Sequence, residues 1–242
     1  MTLLAIETAT VEVGVALAGP GGLLAAATAR PGRRHAETLH VAIRHVLELA
    51  GIAPDALEAI AVDVGPGLFT GLRVGVAAAN AMAWALGVPV VACTSTDVLL
   101  HALRHDGREV VAVVDMRRGE VAWSSRLGGP IELDTPGALA GSLARRDAAT
   151  LLVGDGARRH AAQLLAGGGG RLQVAGDELG APPVVSLADL AVLRLEAGDA
   201  ADPLAVRPVY LRPVDARINW STRHGAAAPR AGDPAHSAAA GE

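Results

Sequence analysis

The sequence is poor in cysteine, in aromatic rings and in surplus charge, and each shortage removes a class of protein. Its single cysteine, Cys93, cannot form an intrachain disulfide, and the first residues carry no basic stretch running into a long apolar segment with a cleavage site. The cytoplasm is therefore the expected address. Apolar runs are broken by glycine, proline or charge well short of the roughly 20 residues that a membrane span needs, so a soluble chain without membrane contact is expected. Lys+Arg 21 against Asp+Glu 25 leaves a formal charge of -4. That balance offers no surplus to grip a phosphate backbone unaided, and any RNA contact should need a partner. Aromatics are 2% of a chain that is 51% hydrophobic, so the core must be built mostly from alanine, valine and leucine, with closely packed helices.

The 242 residues suffice for two compact domains of roughly 100 residues each. The opening LLAIETATVEVGVALAGPGGLLAAATA reads as a strand, a polar corner at Glu7 to Thr10, and two further strands joined through Gly19-Pro20-Gly21-Gly22. Leu39, Ile43, Val46, Leu47 and Ala50 then recur at helical spacing from His35 to Ala50, with Gly51 just past the last turn. A strand at 57–64 runs into Gly65-Pro66-Gly67 and a helix from Thr70 to Leu86. The strand VPVVACTS follows, leading into a helix that begins near Ser95 or Thr96. The first half therefore reads β-β-β-α-β-α-β-α.

A second strand, corner and strand appear in EVVAVVDMRRGEVAWSSRL. Glu7 is followed at five residues by Glu12 and then Val13, and Asp115 at the same interval by Glu120 and then Val121. The shared spacing predicts two related halves joined near residue 108, with lobes at 1–108 and 109–220. Further on, helices are expected at 136–146, 157–165 and 186–196, with a strand in TLLVGDG and a short ordered element at PVYLRP. Residues 221–242 are rich in Ala, Gly, Pro and His without periodicity, which predicts a disordered tail.

The run Gly65-Pro66-Gly67-Leu68-Phe69-Thr70-Gly71-Leu72-Arg73-Val74-Gly75 sits between a strand and a helix. Two readings are open: an anion held at the helix N-terminus, or a packing turn that needs glycine for close approach. It fits neither the P-loop nor the G-x-G-x-x-G pattern. Gly71, Gly75, Ala78, Ala79 and Ala83 leave one side of the helix without bulk, suited either to a partner helix or to packing inside the same domain. His35, His40 and His45 are spaced by five, which turns neighbours about 140° apart on a helix, so they cannot converge on one ion. His101 and His105 are one turn apart but lack the intervening acid of a zinc-protease helix. Glu7, Asp63 and Asp115 end apolar strands, where such folds place ligands.

Together, LAIETAT, GPGLFTGLRVG, VPVVACTST, VDMRRGEVAW and PVYLR resemble, in order, segments of the TsaB family, formerly YeaZ. The resemblance spans most of residues 1–215. It implies an α/β, actin-like (ASKHA, ribonuclease-H-like) fold of two related lobes. It also implies a non-catalytic, cofactor-free role beside TsaD, the paralogous subunit that transfers threonylcarbamoyl to adenosine in tRNA, with the ATPase TsaE joining the pair. The histidine pair that holds the TsaD metal is absent: the matching stretch reads Thr94-Ser95-Thr96-Asp97-Val98-Leu99. By the same resemblance the heterodimer is a bundle of the first two helices of each partner. This nominates Leu39, Ile43, Val46 and Leu47 on the first helix and Gly71, Gly75, Ala78 and Met82 on the second, with Phe69 and Arg73 near the partner. A homodimer through these helices is left open, and tRNA is met only through the complex. Two rivals are an actin-like ATPase or sugar-kinase relative using Glu7, Asp63 and Asp115 around magnesium, and a peptidase.

Overall fold

The computed structural model describes residues 1–32 and 34–211; the expected tail lies outside them. Two five-stranded sheets carry the fold. In the first, β1 (Leu3–Glu7), β2 (Val13–Gly19) and β3 (Gly22–Ala29) form an antiparallel meander, and β4 (Ala59–Asp63) and β5 (Val90–Cys93) extend it in parallel on the other side of β1. The crossovers are α1 (His35–Ala50) and α2 (Phe69–Leu86), and α3 (Ser95–Ala102) follows β5. Both long helices end as their sequence dictates, with Gly51 and Gly87 in the left-handed region, where a side chain would be strained.

The second sheet repeats the order. β6 (Glu109–Asp115), β7 (Val121–Ser124) and β8 (Glu132–Asp134) are the meander, and β9 (Thr150–Val153) and β10 (Leu172–Val174) are its parallel extension. Asp115 pairs with Val121 as Glu7 pairs with Gly14, so the corner spacing seen in the sequence is a real repeat. This doubled arrangement is the ribonuclease-H-like, actin-type α/β fold that the resemblance implied. β8 and β10, three residues each, were not legible in advance. The helix expected at 157–165 is two, α5 (Asp155–Arg159) and α6 (Ala161–Gly167), parted at His160, whose backbone leaves the helical region. α4 (Pro136–Leu143) ends three residues short of expectation, and α7 (Val184–Glu196) starts two residues early, directly after Pro183.

Strand alternation sorts the core. Leu4 and Ile6 face α1 and α2, joined by Val15, Leu17, Ile60 and Val62. Leu3 and Ala5 face the other way with Ala16, Ala18, Ala59 and Ala61, and α7 lies on that alanine-rich side. A helix from late in the chain thus completes the first core. In the second half, Val111 and Val113 pack on α4 and α6, and Ala112 and Val114 on Leu99 and Leu100 of α3. Arg194 of α7 ties these parts together: it donates to the Ala92 carbonyl at 2.7 Å and to Asp97 Oδ2 at 2.6 Å, while Asp97 Oδ1 accepts from the Gly128 amide at 2.7 Å. Among the described residues no helix is long and apolar enough to cross a membrane.

Glycine spacing on α2 is demanded by β1. A Cβ at Gly71 would overlap the Thr8 carbonyl, and one at Gly75 the Thr8 hydroxyl. The Thr8 hydroxyl donates to the Gly71 carbonyl at 2.9 Å. Gly141, in α4, has open space where its Cβ would stand. Gly71→Ala should therefore lower stability by roughly 1–3 kcal/mol despite alanine's better helix propensity, because backbone cannot yield to the methyl. Gly141→Ala should raise stability by about 0.5–1 kcal/mol. Melting temperatures of the two variants moving in the same direction would contradict this packing.

Candidate functional site

The outer seam of α1 and α2 is apolar and open. α1 places Leu39 and Val46 fully into the core, Leu47 on the boundary, and Ile43 half-buried against the same core. Met82 answers from α2. Ile43, Leu47 and Met82 line a groove of about 630 Å³ with Ile52, Ala53 and Pro54 of the loop after α1. His40, Arg44 and Glu48 complete the lining, and Arg44 and Glu48 pair at 3.8 Å one helical turn apart, both exposed. Such an exposed pair contributes little to stability. Burying the apolar walls of this groove is the available driving force.

The nominated residues divide in two. Ile43, Leu47, Ala78 and Met82 are within reach of a partner or close beneath its surface. Leu39 and Val46 are interior, and Gly71 and Gly75 turn inward onto Thr8, so the small side of α2 is taken up by the chain's own first strand. At the N-terminal end of α2, Phe69 is 41% and Tyr210 40% exposed. Their rings stand 5.4 Å apart, the Arg73 guanidinium lies 3.8 Å from the Phe69 ring centre, and Arg73 Nε donates to the Tyr210 hydroxyl at 3.2 Å. The only Phe and only Tyr of the chain are thus stacked at its surface. Tyr210 and the Ile52–Pro54 wall were not foreseen; a lone tyrosine in the late PVYLR run was the available signal.

The glycine turn before α2 is used for close approach. Gly67 abuts the Ala9 carbonyl, which accepts from the Leu68 amide at 2.6 Å, and the Ser95 hydroxyl donates to the Pro66 carbonyl at 2.8 Å. Beside it, Asp63 Oδ1 accepts from the Gly65 amide and the Ser95 hydroxyl, each at 2.7 Å, while Oδ2 is buried without a partner. Burial pushes the Asp63 carboxyl up to about 7 against these two hydrogen bonds. Glu7, on the neighbouring strand, is held well above the usual carboxylate range by burial and then by Asp63.

Asp115 lies apart from this pair, at the tip of β6 among Arg117, Arg159 and His160. The three carboxylates that a magnesium reading needs do not converge. Among the described residues no three His, Cys, Asp or Glu side chains are placed to hold a metal. His101 is buried with Nε2 2.9 Å from Asp189 Oδ2, joining α3 to α7. Cys93 is buried and its thiol is pushed up to about 12 by that burial, which disfavours the thiolate a nucleophile requires.

Comparisons agree with this architecture. The family model described as "TsaD: tRNA N6-adenosine threonylcarbamoyltransferase" matches residues 22–136. The "tRNA threonylcarbamoyladenosine biosynthesis protein TsaB" of Bacillus subtilis is 34% identical over 121 residues, 50% of this chain and 53% of that protein. The Escherichia coli protein of the same name is 32% identical over 126 residues, 51% of this chain and 54% of its own length. The matched region thus spans about half the length of these curated relatives. The solved structure "YeaZ from Pseudomonas aeruginosa" superposes with a TM-score of 0.75 at 31% identity, covering 87% of this chain and 99% of that one.

The Asp63 environment generates a pH test. A free aspartate ionises near 4, roughly, whereas the folded group does so at about 7, so folding takes up a proton between those values. Its contribution to stability therefore falls as pH rises through that window, and the full penalty stands above it. Asp63→Asn should melt above the wild type at pH 8, with the gap closing toward pH 4. A gap that is constant with pH would refute the assignment. Glu7 titrates in both proteins, so the difference isolates Asp63. Sequence, topology and the full-length superposition agree: the chain belongs to the TsaB (YeaZ) family.

Proposed function

We propose that this protein is a non-catalytic scaffold in the formation of threonylcarbamoyladenosine on tRNA, docking a TsaD transferase through the α1/α2 seam and supporting attachment of TsaE. The observation that carries the reading is the open apolar groove between Ile43, Leu47 and Met82. The region matched by the transferase family model, residues 22–136, contains both helices of the seam. A transferase built on the same segment would present an equivalent helix pair, and two such pairs pack as a near-symmetric bundle. Phe69, Arg73 and Tyr210 continue that surface along α2 as the kind of aromatic and arginine anchors that dominate binding energy. A stable interface of this kind buries at least about 1,000 Å² in total; the groove would be its apolar centre.

The ATPase rival is less well supported, since Glu7 and Asp63 are adjacent while Asp115 is engaged by arginines. The relatives' printed names point to tRNA modification, and tRNA would be met through the assembled complex.

The test is reconstitution of tRNA modification with cognate TsaD, TsaE and a threonylcarbamoyl-adenylate source. Met82→Asp puts a charge into the groove without touching the sheet core. It should weaken co-elution with TsaD at least about a hundredfold and abolish modification, while the variant keeps its melting profile. Ala78→Trp, adding bulk on the same helix, should act likewise. Modification that proceeds without the chain, or a Met82→Asp variant that binds TsaD as the wild type does, would overturn the scaffold reading. Association of Met82→Asp with itself, compared with the wild type by sedimentation, reports whether the seam also closes a homodimer.

A further inference from the structure

The motif that the scaffold reading leaves unused is Asp115-Met116-Arg117-Arg118-Gly119-Glu120, the corner between β6 and β7. Arg117, Arg118 and Gly119 take φ of 59°, 54° and 79°, and among the described residues these two arginines are the only non-glycine residues at positive φ. An arginine side chain is disfavoured there, and two in succession need to be held in place. The corresponding corner of the first lobe, Thr8 to Glu12, is closed without such residues. Fold topology therefore does not demand this conformation.

Asp115 is what holds it. Its Oδ1 accepts from the Arg117 amide at 3.0 Å, and its Oδ2 stands 3.1 Å from Arg117 Nη1 and 3.4 Å from Arg159 Nε. The carboxylate is 3% exposed, but the arginines it pins are 45% and 56% exposed. Their inner edges are fixed while their outer edges face solvent. Arg118, also exposed, has no partner among the described residues. His160 Nε2 lies 3.5 Å from Asp115 Oδ1 and is buried with no hydrogen-bond partner. Asp155 supports the base, accepting from the Asp115 amide at 2.9 Å.

All of the chain's 21 basic residues are arginine; it contains no lysine. Guanidinium groups present paired donors in a fixed plane, suited to tetrahedral oxyanions, and a fork fixed in advance loses less freedom on binding. We propose that the β6–β7 corner is a phosphate-binding site, formed by the outer edges of Arg117, Arg118 and Arg159. The phosphate belongs either to an RNA backbone or to a free diphosphate, which share this chemistry.

The full-length chain, labelled with nitrogen-15, is titrated with inorganic pyrophosphate and separately with an unmodified tRNA transcript while the arginine Nε–Hε signals are followed. Signals of Arg117, Arg118 and Arg159 should move saturably with at least one probe, and added salt should weaken the effect. Arg118→Glu should reduce the affinity at least tenfold; Arg145→Glu, the same charge change on α4's trailing turn, should not. Arg159→Gln provides a milder second variant, and unchanged amide spectra away from the corner confirm folding. Saturation by tRNA far below the pyrophosphate requirement assigns the phosphate to RNA; saturation by pyrophosphate alone assigns it to a free diphosphate. If neither probe moves these signals, or Arg118→Glu binds as the wild type does, the proposal is wrong. Because the chain is titrated alone, this result is independent of docking through the α1/α2 seam.

Discussion

The close approach of α2 to the end of β1 is the constraint on which the first lobe depends. Gly71 and Gly75 allow the helix backbone to rest on Thr8, and Gly67 allows the preceding turn to rest on Ala9. With the helix fixed at that height, Val76, Ala79 and Ala83 complete the core over Ile6 and Val62, while Met82 is left at the rim beside Ile43. The open seam is thus a by-product of how tightly the opposite side of α2 is seated. A larger residue at 71 or 75 would tilt the helix and change the groove without any groove residue being altered.

The same seating forces acids out of water. Glu7 and Asp63 end adjacent parallel strands beneath the corner that α2 covers, and neither has a cation within ion-pairing distance. Burial without an opposite charge favours the protonated form, and Asp63 uses its hydrogen bonds to hold the Gly65 turn and Ser95 rather than a ligand. This corner of an actin-type fold has become a structural joint. Its polar groups anchor loops to one another and couple β4 to the start of α3.

Much of this was legible in the sequence where one local rule decided the outcome. The β-β-β-α-β-α-β order, the helix stops at Gly51 and Gly87, and the repeat from Glu7 and Asp115 all follow from periodicity and glycine placement. The direction of the small side of α2 was not legible, because Gly71 and Gly75 suit a partner helix and a neighbouring strand equally until Thr8 is placed beside them. β8 and β10 are too short to show a period of two. Nor could local pattern reveal that α7 crosses back onto the first sheet: its apolar face is helical in period, but the alanines that receive it lie some 170 residues earlier, at Ala5, Ala16 and Ala18, roughly the longest separation the chain allows. Among the site residues, Ile43 and Met82 were readable from helical spacing, whereas the Pro54 wall and Tyr210 depend on loops with no period at all.

The two lobes share a topology but use their first corners differently, and the difference follows from what lies behind each acid. Behind Glu7 stand Thr8 and the backbone of α2, so the corner is closed from outside and its acid is left without a counter-charge. Asp115 instead has α5, whose Gly156 packs against the backbone of Val114 and whose following residues, Arg159 and His160, bring cations to the carboxylate. A carboxylate paired in this way stays charged at neutral pH and can hold a strained arginine turn; an unpaired one cannot. Duplication therefore supplied two equal frames, and the residue that follows the parallel strand, a glycine turn into a long helix in one case and an arginine-bearing short helix in the other, set one to be a joint and the other an exposed cationic edge.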